Sequence, residues 1–379
     1  MTRLCIVTST YHRPGETFVN YHIEHLFGGA CCVVANDTNG DDPYDIPHFS
    51  LSGVPLGSAE RMMLPLTRAM GILRHRSITV PTGSTAQALR DFLGLHRPDV
   101  ILCEFGNRAI QIAPIAGELG IPIFTYFRGF DGSKLLEKPL FPAAYARTFP
   151  KLAGVFAVSR FLLDNLANHG LTHPNAHVIP SGADTARFRP APKLAQKVVA
   201  VGRMVEKKTP LITVRAFISA AQQHPEARFT FVGHGKLLEP ARALVADAGL
   251  TDRIHLPGRL PHEEVAALMA DAAIFAQHSV TGKDGNTEGV PSSIQEAMAS
   301  GCAVVSTRHA GIPEIVEEGN TGLLSDEYDE AHYTQSLVSL LGDPGQTERF
   351  GRAGRTFAEA HLDKVDLTKR IETVLQASL

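Results

Sequence analysis

Two carboxylates, Glu288 and Glu296, stand eight residues apart in "EGVPSSIQEAMASG". Carboxylate pairs can make or break glycosidic bonds. Pro291 suits the first turn of a helix, where its missing N–H is not needed. Ser292 and Ser293 fit the same turn, helix formers follow, and Gly301 ends the run. The pattern therefore predicts Glu288 before a helix and Glu296 about one turn inside it. A helix N-terminus carries free N–H groups and partial positive charge, so it attracts phosphate. Carboxylates do not hold phosphate, but they accept hydrogen bonds from sugar hydroxyls. A sugar nucleotide satisfies both demands. Two other readings stand beside this one: a glycosidase acid–base pair, and two ordinary charges at a helix start, which is what an isolated E-x7-E usually means.

A basic pair gives the first reading its context. In "AVGRMVEKKTP" an apolar strand ends at Gly202, and Arg203 and Lys208 follow in the turn before the next helix. Strand carboxyl ends are where ligands sit in parallel sheets. An Arg fork and a Lys point charge suit a diphosphate; the plain alternative is surface charge on a loop. "FVGHGKL" offers Gly233 and Gly235 at another strand end, where glycine would let backbone approach a ligand. No DxD is aimed at a strand end, since "NGDDPYD" reads as a polar loop, and neither HExxH nor a His cluster appears among 17 His. Neither a metal nor an organic cofactor is expected.

The elements that must hold these residues follow from periodicity. Short apolar runs such as "LCIVTS", "DVILCE", "IPIFTYF", "KVVAVG", "RFTFVG" and "CAVVST" alternate with longer amphipathic stretches. That pattern predicts α/β architecture, with parallel sheets covered on both faces. It restarts after the Pro-rich "RFRPAPKLAQ". Two doubly wound, Rossmann-like domains are expected over 1–185 and 186–360, facing across a ligand cleft, with 361–379 a helix crossing back to the first.

The chain has 379 residues, 20% of them charged, and a net charge of -3. It carries no basic footprint for nucleic acid and no Trp for base stacking. Five Cys without C-x-x-C spacing read as buried thiols of a cytoplasmic protein. The first ten residues read as a strand rather than a signal peptide, and no apolar run is long enough to span a bilayer.

These stretches together resemble a GT-B glycosyltransferase of family 4, which retains anomeric configuration. "VGRMVEKK", "FVGHGKL" and "EGVPSSIQEAMASGCAVVSTRHAGIPEIVEEGNTGLL" resemble its donor-binding domain. "VIPSGADTARFRP" resembles its interdomain segment. "PGETFVNYHIEHL" resembles the branch acting in extracellular polysaccharide synthesis, such as the colanic acid and amylovoran transferases. The resemblance implies that Arg203 and Lys208 hold the donor diphosphate. It places Glu288, with the backbone of Gly289, Val290 and Pro291, at the donor sugar, Glu296 at the ribose, and Leu260 beside the base. Gly15 lies in the loop after the first strand, where the family has a glycine pair. Arg128, in "YFRGFDGS", stands where the family has His, and Ser181 where it has Asn. A metal-independent transfer of a hexose is implied, from a nucleotide sugar, UDP- before GDP-, to a glycan or lipid-linked saccharide. A sugar-nucleotide epimerase, a phosphorylase and a non-catalytic nucleotide-sugar binder are the alternatives on the same fold.

One further segment, "RMMLPLTRAMGILRHRS" (61–77), mixes Met, Leu and Ile with Arg and His. It suits a helix lying on an anionic membrane surface, or an ordinary domain helix with a basic end; Pro65 weakens it as a continuous helix.

Overall fold

The computed structural model describes residues 2–13, 15–39 and 42–379. Gly40 and Asp41 of the "NGDDPYD" stretch, and Pro14 beside Gly15, lie outside the described residues. The chain divides into two compact units, Met1–Ile179 with Thr368–Leu379, and Pro180–Leu367.

The first unit is built on β1 (Leu4–Tyr11), β2 (Cys31–Thr38), β3 (His48–Ser50), β4 (Val100–Cys103), β5 (Ile123–Phe127), β6 (Gly154–Ala157) and β7 (Ala176–Val178). They lie in the order β3-β2-β1-β4-β5-β6-β7, and every pairing is parallel. The interior strands are largely apolar, and Val100–Cys103 is apolar and buried along its whole length. That is what helices on both faces require. The C-terminal residues belong to this unit, where the Glu372 carboxylate accepts from the N–H of Phe27 at 2.6 Å. The helix Ser58–His75 runs unbroken through Pro65. Pro65 is exposed, so water can take the backbone bond it cannot make.

The second unit holds β8 (Leu194–Val201), β9 (Arg228–Val232), β10 (Ile254–Gly258), β11 (Ala272–Ala276), β12 (Ala303–Thr307) and β13 (Gly322–Ser325), ordered β10-β9-β8-β11-β12-β13 and again parallel. Side chains alternate between two cores. Val198, Ala200, Ala303 and Val305 pack in one cluster, and Val199 and Val304 in the other. The period of two along a strand sends neighbours to opposite faces, so both faces must be covered. In each sheet the strand order reverses beside the first strand, at β1/β4 and β8/β11. The carboxyl ends there are the crevices where such sheets take ligands.

Candidate functional site

In the second unit, four strand ends and one helix converge on Glu288. After β8 the chain passes Gly202 and Arg203 into a 3-10 turn, Glu206–Lys208, and then the helix Pro210–Gln223. The join is Thr209 at φ 33°, a left-handed conformation uncommon for a β-branched residue. Its hydroxyl meets Nδ1 of His278, just past β11, at 2.7 Å. This kink sets Lys207 and Lys208 on the strand's carboxyl side. Their ammonium groups lie 3.2 and 3.4 Å from the same Glu288 oxygen. Lys207 also donates to the Thr287 carbonyl at 3.1 Å.

The electrostatics follow from burial. Burial alone would raise the Glu288 carboxyl, but Lys208, then Lys207 and His309, outweigh it and hold the pKa at about 2. Burial pushes Lys208 down to about 8, against the upward pull of Glu288. Arg203 is exposed, and its charge adds a small downward push on Lys208.

The backbone of Glu288 is held from the other side. Its N–H donates to Nε2 of His309 at 3.1 Å, and Nδ1 of His309 meets Glu327 at 2.5 Å. Two residues on, the Gly311 N–H donates to the Gly289 carbonyl at 3.0 Å. Val290 is buried in the core cluster beneath, and Pro291 caps the helix Ser292–Ala299. Ser293 in the helix's first turn donates to Gln277, at the end of β11, at 2.7 Å. Thus Lys208, Glu288 and the segment Gly289–Pro291 come together at one strand edge.

Glu296 is separate. It projects from the helix to His262, whose Nε2 lies 3.1 Å from its carboxylate. Nδ1 of His262 faces Arg187 at 3.0 Å. Arginine has no acceptor, so Nδ1 accepts and Nε2 carries the proton toward Glu296. Leu260, two residues before His262, packs partly buried against the core.

Gly233 and Gly235 are required by the chain itself. A Cβ at Gly233 would lie 1.8 Å from the Gly202 carbonyl oxygen, and one at Gly235 would lie 2.4 Å from that of Met204. The close approach at these positions is between the loops after β8 and β9, which seats Arg203 and the lysine turn. Gly15, in the first unit, has open space within 4 Å of its would-be Cβ. No steric demand makes it glycine.

Arg128 also lies in the first unit, immediately after β5. Its side chain is 5% exposed and pairs with Glu104, which follows β4 and is 0% exposed. The guanidinium stacks 3.6 Å from the Tyr126 ring centre and 4.3 Å from that of Phe18. His22 closes the other side of Glu104 at 2.6 Å. Full burial would raise Glu104, but His22 and Arg128 overcome it and hold its pKa at about 2. Asp131 accepts from the backbone N–H groups of Gly106, Arg128 and Gly129 at 2.8, 2.9 and 3.0 Å, and so orders the loop.

Sequence reasoning missed Lys207, His309, Glu327, His262, Glu104 and His22. Two of them carried a signal. Lys207 sits beside Lys208 in the same turn, and Glu104 is the first charge after an apolar strand. Among the described residues no three His, Cys, Asp or Glu side chains gather as a metal-ligand group, and no helix is long and apolar enough to cross a membrane.

Two doubly wound parallel sheets with charged groups at their carboxyl edges define an α/β protein of two Rossmann-like units, the GT-B architecture. The crystal structure of Anabaena HepE in complex with UDP matches it with a TM-score of 0.75 at 16% identity, over all of both chains. Residues 184–357 match the family model "Glycosyl transferases group 1", and residues 33–187 match "Glycosyltransferase Family 4". The chain belongs to this glycosyltransferase family. It is similar to a putative colanic acid biosynthesis glycosyltransferase of Escherichia coli (strain K12), 30% identical over 289 residues, 74% of this chain and 71% of the relative. It is also similar to a GDP-mannose-dependent alpha-(1-6)-phosphatidylinositol monomannoside mannosyltransferase of Mycobacterium tuberculosis. That relative is 31% identical over 387 residues, spanning 95% of this chain and 94% of its own.

Proposed function

We propose that this protein is a retaining, metal-independent hexosyltransferase. It moves a sugar from a nucleoside diphosphate donor to a glycan or lipid-linked saccharide in bacterial surface polysaccharide synthesis. The observation that carries the reading is the pair of ammonium groups, Lys207 and Lys208, that share one buried Glu288 oxygen beside the helix start at Pro291. The same ammonium groups that pair with Glu288 are placed to hold a diphosphate, and the Glu288 carboxylate beside them can accept hydrogen bonds from donor sugar hydroxyls. As the anomeric carbon–phosphate bond breaks, negative charge grows on the leaving diphosphate. Arg203, Lys208 and the helix N–H groups stabilise it in place of a metal. The departing phosphate takes the acceptor proton, and transfer occurs on the same face. Glu296, oriented by His262, receives the ribose hydroxyls, and the backbone around Leu260 receives the base.

The colanic acid relative supports the polysaccharide setting. UDP is the first expectation for the donor; the mannosyltransferase relative, matching along nearly the whole chain, favours GDP-mannose as a second. One experiment separates them. UDP-glucose, UDP-galactose and GDP-mannose are tested for thermal protection, because a ligand bound only by the folded state raises the melting temperature. Acceptor-dependent nucleotide release is then measured with and without EDTA. No protection by any of the three overturns their assignment as donors; turnover lost in EDTA and restored by magnesium or manganese overturns metal independence.

A further inference from the structure

One cavity of the first unit, of about 170 Å³, draws its basic lining from three segments. Arg74 and His75 come from the last turn of the helix Ser58–His75, and Arg147 from the end of the helix Leu140–Thr148. Lys151 comes from the turn that follows. Ala113, on the helix Gly106–Glu118, is part of the apolar wall.

The two arginines, the lysine and the histidine have no counter-charge. Among the described residues none of the four pairs with a carboxylate. The acid whose charge reaches His75 is Glu118. Arg90 already holds one Glu118 oxygen through Nε and Nη2, at 2.9 and 2.7 Å. The carbonyls at the negative end of the helix Ser58–His75 are occupied as well. The Arg76 N–H takes those of Gly71 and Ile72, and Nη1 of Arg147 takes those of Leu73, at 2.9 Å, and Arg74. The imbalance shows at His75. Burial, then Lys151, Arg74 and Arg147, push its pKa down.

We propose that this cavity is a binding site for a soluble tetrahedral oxyanion of the phosphate class. Arg74, Lys151, His75 and the Nε and Nη2 groups of Arg147 supply charge-assisted donors from several directions, which suits an ion with oxygens on every side. Size narrows the ligand. The cavity is below the roughly 300 Å³ at which pockets take larger organic ligands, so a single phosphate fits and a nucleoside diphosphate does not. Position narrows the source. The cavity lies between the covered side of one helix and a second helix, where a free ion can enter and a flat layer of headgroups cannot. The ion would also do structural work. The helix Ser58–His75 has no fully buried residue, so few apolar contacts hold it. An oxyanion bridging Arg74 and His75 to Arg147 and Lys151 fastens the end of that helix to its unit. This site is separate from the one around Glu288 and does not depend on the transferase reading.

The test uses the full chain without donor or acceptor, in chloride buffers of matched ionic strength. Inorganic phosphate is titrated by calorimetry, and amide hydrogen exchange is followed over residues 58–76. Phosphate at tenfold its Kd should slow exchange there about tenfold. Arg74→Gln/Lys151→Gln changes two exposed side chains. It should keep the wild-type melting temperature, weaken this binding at least about tenfold and abolish the slowing. Phosphate could also be captured at the lysines beside Glu288, so both measurements are repeated with Lys207→Gln/Lys208→Gln. That variant should still bind phosphate and still show the slowing, whatever becomes of donor binding. Absence of phosphate binding overturns the proposal, as does slowing that survives Arg74→Gln/Lys151→Gln or is lost in Lys207→Gln/Lys208→Gln. Slowing by phosphatidylglycerol vesicles but not by inorganic phosphate assigns the cavity to a lipid headgroup and overturns the soluble ion.

Discussion

The backbone N–H of Glu288 donates to Nε2 of His309 at 3.1 Å, so the residue that carries the buried carboxylate is positioned by an imidazole from another strand end. Glu327 takes the other ring nitrogen and fixes the tautomer, with Nδ1 protonated and Nε2 accepting. Removing the ring leaves a buried N–H without its acceptor. His309→Ala should lower kcat/KM about tenfold or more, a cost of ~1–3 kcal/mol for the orphaned group. His309→Gln, which keeps an acceptor, should recover part of it. Equal activity of both variants and wild type would show that the Glu288 loop needs no such clamp.

Lys208 gives a pH prediction. With its pKa pushed down to about 8 by burial, it is a cation below that pH and neutral above. The cation is the form that binds diphosphate, so kcat/KM for the donor should fall as pH rises through about 8. Lys208→Arg stays charged and should shift that limb beyond the accessible range. A wild-type profile that is flat well past pH 8 refutes the assignment.

Glu288 and Glu296 should separate on mutation. Glu288→Gln should mainly lower kcat, because its contact steadies the sugar as charge develops. Glu296→Gln should weaken donor and free nucleotide alike, since ribose is present in both. Nucleotide affinity measured for the two variants decides; equal losses would sink the division.

Arg128 should prove important to stability. Arg128→Ala strips Glu104 of its arginine inside the fold, where breaking a buried pair typically costs ~3–5 kcal/mol. The urea midpoint should drop accordingly. The pH sign follows from Glu104, whose folded pKa of about 2 lies below its ordinary value. Its stabilisation is fully present above the unfolded pKa and is lost as pH falls toward 2. The gap between wild type and variant should therefore narrow in acid; a gap that is constant with pH would place the loss elsewhere.

The glycines give a contrast. Gly233→Ala places a methyl 1.8 Å from a carbonyl oxygen and should destabilise the second unit by several kcal/mol (~4 or more). Gly15→Ala meets nothing and should change the melting temperature little. Similar melting curves for the two would contradict the loop packing after β8 and β9.

The sequence by itself determined the alternation of strands and helices, the restart of that pattern in the second half, and the placement of Arg203, Lys208, Glu288 and Glu296 near strand and helix ends. These are local properties: a period of two or 3.6, a proline at a helix start, a glycine after an apolar run. Tertiary structure decided which groups meet. His309 and Lys207 reach Glu288 from two different strand ends, and His22 and Arg128 reach Glu104 across 82 and 24 residues of chain. It also decided that Gly233 and Gly235 serve loop packing, and that Met62, Leu66, Met70 and Leu73 face outward. A sequence pattern gives the face of an element on which a residue lies. Whether that face is covered, and by which charge, depends on segments distant in the chain, and their approach is fixed only when both sheets close their cores.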